Sequence, residues 1–95
     1  MPEVTVNGRT FTYYESRTGS RAVGISANGV ANSQHEYRFR PDPHQQREYN
    51  SRQAEFYLAA AEAAAGLFTL RGGAPAWPSA GAFSWRGQDY GLETR

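Results

Sequence analysis

Apolar and polar residues alternate with a period of two near both ends of the chain, and one long segment between them has a helical period. Residues 4–15 read VTVNGRTFTYYE. Alternation across Asn7-Gly8 predicts a two-residue hairpin, pairing Val6 with Arg9 and Val4 with Phe11. That register puts Val4, Val6, Phe11 and Tyr13 on one face and turns Tyr14 to the other. Residues 17–20 read as a turn, and residues 21–26 as a strand with Val23 and Ile25 inward. Residues 36–40 alternate again, with Tyr37 and Phe39 on one side and Glu36, Arg38 and Arg40 on the other. A two-residue turn at Asn28-Gly29 would leave Val23 and Ile25 on the face opposite Tyr37 and Phe39. A bulge near Asn32-Ser33 or a longer loop over residues 26–34 removes the conflict. We favour the loop and expect it to be mobile.

The helical segment covers about residues 43–66. Asp42 with Gln45 forms the pattern of a capping box, and Pro43 suits the first helical position. Asn50, with Gln53 three residues on, is a second candidate start, so the first turns are expected to be irregular. Gly66 is the expected left-handed stop. Tyr49, Phe56, Ala60, Ala63 or Ala64, and Leu67 recur at helical spacing, and the second half is nearly all alanine. Such a helix fits close against a partner layer but brings little bulk of its own.

Aromatic bulk lies on the strands. After the helix, Phe68 and Leu70 are expected to face inward on a short strand, and residues 72–81 read as a loop carrying Trp77 between Pro75 and Pro78. The chain ends in a hairpin, with a type II′ turn expected at Gly87-Gln88 and Arg86 opposite Asp89, Trp85 opposite Tyr90 and Phe83 opposite Leu92. Val6 to Phe11 and Trp85 to Tyr90 share an apolar-x-Gly-x-x-aromatic pattern, too short to establish a repeat. The fold class is therefore α+β: a twisted antiparallel sheet of short hairpins with one long helix packed on a face, a single domain over residues 1–95.

Composition narrows the chemistry. The 95 residues include no cysteine, which excludes disulfides, thiolate metal sites and a cysteine nucleophile. The formal net charge is +1, too small for a strong field, and every basic residue is arginine. No apolar run follows Met1 and the most apolar stretch, residues 58–68, is too short to span a bilayer. A cytoplasmic location is the expectation.

No P-loop, dinucleotide fingerprint, zinc-protease or nucleophile-elbow motif is present, and no family resemblance is found. His44, Glu48 and Asp42 lie close along the chain, but a metal site would need a further ligand, and neither metal nor cofactor is expected. His35 with Glu36, or Tyr13 with an arginine, are the ingredients of a metal-free nuclease, the third-ranked reading. Arg38, Arg40, Arg47 and Arg52, interleaved with Tyr37, Phe39 and Tyr49, are the ingredients of a nucleic-acid surface, the second reading. The same stretch carries Glu36, Asp42, Glu48 and Glu55, so a solvated face with local ion pairs is preferred. The leading expectation is a small non-enzymatic protein that binds a protein partner, by size and character of the kind found among accessory or inhibitory proteins of phages and mobile elements. Trp77 and Tyr14 are the candidate partner-binding residues, with Trp77 either folded back on the core or standing out as an anchor.

Overall fold

The computed structural model describes residues 2–15 and 21–94; the turn expected at residues 17–20 lies outside the described residues. The chain builds strands β1 (Glu3–Val6), β2 (Arg9–Glu15), β3 (Ala22–Ala27) and β4 (Gln34–Arg38), helices α1 (Pro43–Ser51) and α2 (Gln53–Leu67), then strands β5 (Thr69–Arg71), β6 (Ala74–Ala76), β7 (Ala80–Trp85) and β8 (Gln88–Thr94). Six strands form one antiparallel sheet in the order β1-β2-β3-β4-β8-β7, and β5 with β6 forms a separate hairpin. Both outermost strands of the sheet, β1 and β7, touch α2. The sheet therefore curls around the helix rather than lying flat beneath it.

The first hairpin has the expected register, Val6 opposite Arg9 and Val4 opposite Phe11. Between β3 and β4 the loop prevails over a tight turn. Val23 pairs with Tyr37 and Ile25 with His35, which puts all four on the inner face. Ser33 closes the loop: its hydroxyl donates to the carbonyls of Ala27 and Val30, and its own carbonyl accepts from the Ala27 N–H.

The helical segment is two helices, not one. α1 starts as its sequence predicts, with both arms of the Asp42–Gln45 capping box made and Pro43 in the first turn. It breaks at Arg52, where φ is −138°. Asn50 and Ser51 are weak helix formers, and the Ser51 hydroxyl bonds back to the Arg47 carbonyl. The break has a packing consequence. In one continuous helix residue 57 would sit about 80° around from residue 49; here the hydroxyls of Tyr49 and Tyr57 meet at 3.1 Å in the interior. Gly66 is not the left-handed terminus. α2 runs on to Leu67, and Phe68 leaves it in extended conformation, its N–H bonded to Ala65.

The tail departs from expectation in two places. Part of the stretch read as a loop is the β5–β6 hairpin, turned at Gly72-Gly73, and Leu70 faces solvent instead of the core. The final hairpin turns at Arg86-Gly87, both with positive φ, so Trp85 pairs with Gln88, Phe83 with Tyr90 and Gly81 with Leu92. The slip leaves every side chain on its expected face, because it changes the pairing by an even number of residues. Arg86 holds its left-handed conformation beside Glu48, 3.3 Å away, with its guanidinium 5.9 Å from the Trp85 ring.

Apart from Ala22, the buried apolar residues among those described form one cluster, in which Phe11, Ile25, Tyr37, Phe39, Phe56 and Leu92 are the large fully enclosed members. Val6, Tyr13, Phe83 and Trp85 pack against it half-buried. On α2 not only Phe56, Ala60 and Ala64 but also Tyr57, Ala61 and Ala65 are buried, a face wider than one stripe because the curled sheet reaches round it. Ala60→Leu should therefore overpack the helix–sheet contact and cost ~1–3 kcal/mol, read as a lowered thermal midpoint; an unchanged midpoint would mean that the helix does not lie close on the sheet.

Candidate functional site

The outer face of the sheet carries an open hollow of about 350 Å³, lined by Tyr14, Gln34, His35 and Glu36. Its position follows from the two inner registers. β2 brings Tyr14 opposite Gly24, and β4 brings Glu36 opposite Gly24 from the other side. With no side chain at residue 24, the Tyr14 ring lies down across the strand. A Cβ built there would come within 2.2 Å of the ring, so an alanine would displace it. The phenol donates to the Glu36 carboxylate at 3.5 Å. Partial burial, the Glu36 charge and that contact all raise the Tyr14 pKa, so the hydroxyl stays a donor through the physiological range. A fixed aromatic ring beside a carboxylate and an amide can hold a polar or peptide surface. It offers no activated nucleophile.

His35 belongs to the other side. Its ring turns inward, edge-on to Tyr37 at 4.6 Å and stacked on Trp77 at 5.8 Å with the planes 8° apart. Burial lowers its pKa, with Glu36 opposing the shift, so a neutral imidazole is favoured. Adjacent on one strand, His35 and Glu36 thus point to opposite faces, and the acid–base pair available on paper is not assembled. Tyr13, the other tyrosine considered for such a role, packs half-buried against the core.

Trp77 is folded back. The indole packs against Phe11, Phe68, Tyr37 and His35 at the open end of the core, and the Tyr37 hydroxyl donates to the neighbouring Pro78 carbonyl at 2.6 Å. The prolines therefore steady a plug. The indole Nε1 and the His35 Nε2 are both enclosed without a hydrogen-bond partner among the described residues.

The four arginines do not make one surface with their neighbouring rings. Tyr37, Phe39 and Tyr49 are all in the core, leaving none of those rings to stack on a base. Arg52 is engaged by Glu55 at 3.6 Å, Arg38 lies half-buried on the outer face of β4 opposite Glu93, and Arg40 and Arg47 are exposed. His44 is exposed and Glu48 is turned to Arg86; among the described residues no group of three metal-ligating side chains comes together. No described helix is long and apolar enough to cross a membrane.

Sequence reasoning placed Tyr14 on the outer face but missed Gly24, Gln34 and Glu36 as its setting. The signal was the cross-strand row Tyr14–Gly24–Glu36, which is legible only once the length of the β3–β4 loop is known. Compared with known proteins, the chain matches no family model, no curated protein and no solved structure.

Proposed function

We propose that the protein is a small non-enzymatic binding protein that docks on a protein partner, with Tyr14 at the centre of the docking surface. The observation that carries this reading is the seat of Tyr14: an aromatic ring laid over Gly24 and oriented by Glu36 at the wall of an open hollow. A tyrosine supplies large contact area at low entropic cost, and one held in place before binding loses less freedom on docking. Trp77 acts in this reading as the plug beneath the fold's open end, not as the anchor. An accessory or inhibitory role of the phage or mobile-element kind remains the expectation for the class of partner.

The test is a pull-down from lysate of the source cell, with and without nuclease, comparing the native chain with Tyr14→Ala. The expected result is a protein captured in both conditions and lost with the variant, whose melting temperature stays within a few degrees of the native value. Retention of the same partner by Tyr14→Ala would overturn the site. Capture that disappears with nuclease would favour the arginine reading instead, and Arg38 and Arg40 changed together to glutamine should then flatten the dependence of binding on salt.

A further inference from the structure

The sheet has two edges, and they are not alike. β1 is four residues long, follows Pro2 and begins with the charge of Glu3. Short length, proline and charge are the devices by which proteins blunt an edge. β7 is six residues, AGAFSW, with no charge and no proline. Among the described residues its partner in the sheet is β8 alone.

Which groups β7 presents follows from its turn. In a hairpin closed by two residues, the flanking pair exchanges both hydrogen bonds and the pairs then alternate. Trp85–Gln88, Phe83–Tyr90 and Gly81–Leu92 are therefore the bonded pairs, and the Thr94 N–H bond to the Ser79 carbonyl at 2.8 Å continues the same alternation. The N–H and C=O groups of Ala80, Ala82 and Ser84 consequently point away from β8. All three residues are exposed, and among the described residues no backbone bond reaches them from another element.

We infer that β7 is a self-association edge, at which a second copy of this chain adds its own β7 antiparallel about a two-fold axis through Ala82. This goes beyond the docking reading and does not depend on it. The register is self-complementary. Ala80 meets Ser84 of the partner copy, Ala82 meets Ala82, and Ser84 meets Ala80, so every outward N–H and C=O of one copy finds its counterpart in the other. Small neutral side chains face one another across these pairs, with no like charges opposed. On the inner face Gly81 comes opposite Phe83 of the partner copy in a non-bonded pair, where side chains approach most closely. Leu67 already covers Gly81, so that ring would lie against the leucine rather than over bare backbone. Phe83, Trp85 and Leu67, which packs over Gly81, are half-buried in one copy and gain cover in two. A charged edge would select an oppositely charged strand; this neutral, alternating small-and-large edge fits itself. Because β1 is blunted, association stops at two copies.

Light scattering on the eluting protein, from micromolar to millimolar concentration, tests this directly. The expected result is a concentration-dependent rise to twice the monomer mass. Ala82→Pro removes an outward N–H without touching the β7–β8 ladder, a place where an edge strand tolerates proline. It should abolish the doubling and leave the melting temperature of dilute protein unchanged. Ala82→Lys, which opposes two ammonium groups across the axis, should do the same and decides the matter should the proline variant fail to fold. A native chain that stays monomeric throughout would overturn the inference, as would doubling that survives Ala82→Lys or growth into species larger than two copies.

Discussion

Phe56→Ala should cost about 3–5 kcal/mol of unfolding free energy, the range for deleting a buried aromatic ring. Phe56 is fully enclosed and is the ring on which the two halves of the core converge. It lies 4.6 Å from Phe39 of the β4–α1 connection, 5.2 Å from Tyr49 of α1, and 5.1 and 4.9 Å from Trp85 and Tyr90 of the last hairpin. The alanines that follow it on α2 cannot close the space. A domain of 95 residues has about 5–14 kcal/mol in total, so the variant keeps between none and about four-fifths of its stability. Urea denaturation measures the change. Leu58→Ala is the internal control: two residues along the same helix but 40% exposed, it should shift stability by no more than about 0.5 kcal/mol. Equal losses in the two variants would mean that α2 is not seated as described.

The second large effect is expected in alkali. Burial pushes the Tyr37 phenol up to about 12. Tyr57 is raised further, by burial first and then by its bond to Tyr49, and Tyr14 and Tyr90 are also raised, again mainly by burial. An unfolded tyrosine ionises near 10. Each of these groups therefore binds its proton more tightly in the folded state. Their contribution is complete below pH 10 and is lost as pH climbs from 10 through the folded values. For Tyr37 alone the shift corresponds to about 2–3 kcal/mol. Denaturation midpoints should thus hold steady up to pH 10 and fall steeply between 10 and 12, with tyrosinate absorbance rising in step with unfolding. Tyr37→Phe should start less stable, through loss of the bond to Pro78, and should show a shallower alkaline fall. Tyrosines that ionise near pH 10 while the fold stays intact would contradict the burial described for them.

Much of this was legible in the chain because the signals were local. Asn7-Gly8 names its own turn type, and the alternation on either side sets the register and the buried face together. Asp42, Pro43 and Gln45 write the start of α1 within four residues. Even the misplaced turn at the chain's end cost nothing in side-chain facing, since Arg86-Gly87 and Gly87-Gln88 lead to pairings that differ by an even step. A non-glycine side chain disfavours positive φ, so local chemistry does not mark Arg86 as a turn residue; Glu48, distant in sequence, and the adjacent Trp85 ring stand beside it in that conformation.

What the sequence determined by itself was therefore the α+β class, the hairpins at both ends, the capped start of the helical segment and the inward residues of the six-stranded sheet, though not those of β5, where Leu70 faces solvent. Each depends on neighbours within a few positions, where turn chemistry and period decide the outcome. The tertiary structure decided the rest. The curl of the sheet widened the buried face of α2 to include Tyr57, Ala61 and Ala65. Packing of Tyr49 against Tyr57 accompanies the break at Arg52. Trp77 turned inward because four rings from β2, β4 and the α2–β5 junction together made a place for it. The site around Tyr14 exists only because Gly24 and Glu36, ten and 22 residues further along the chain, arrive beside it on two other strands. Such contacts depend on register between strands and on layer curvature, which no local pattern encodes.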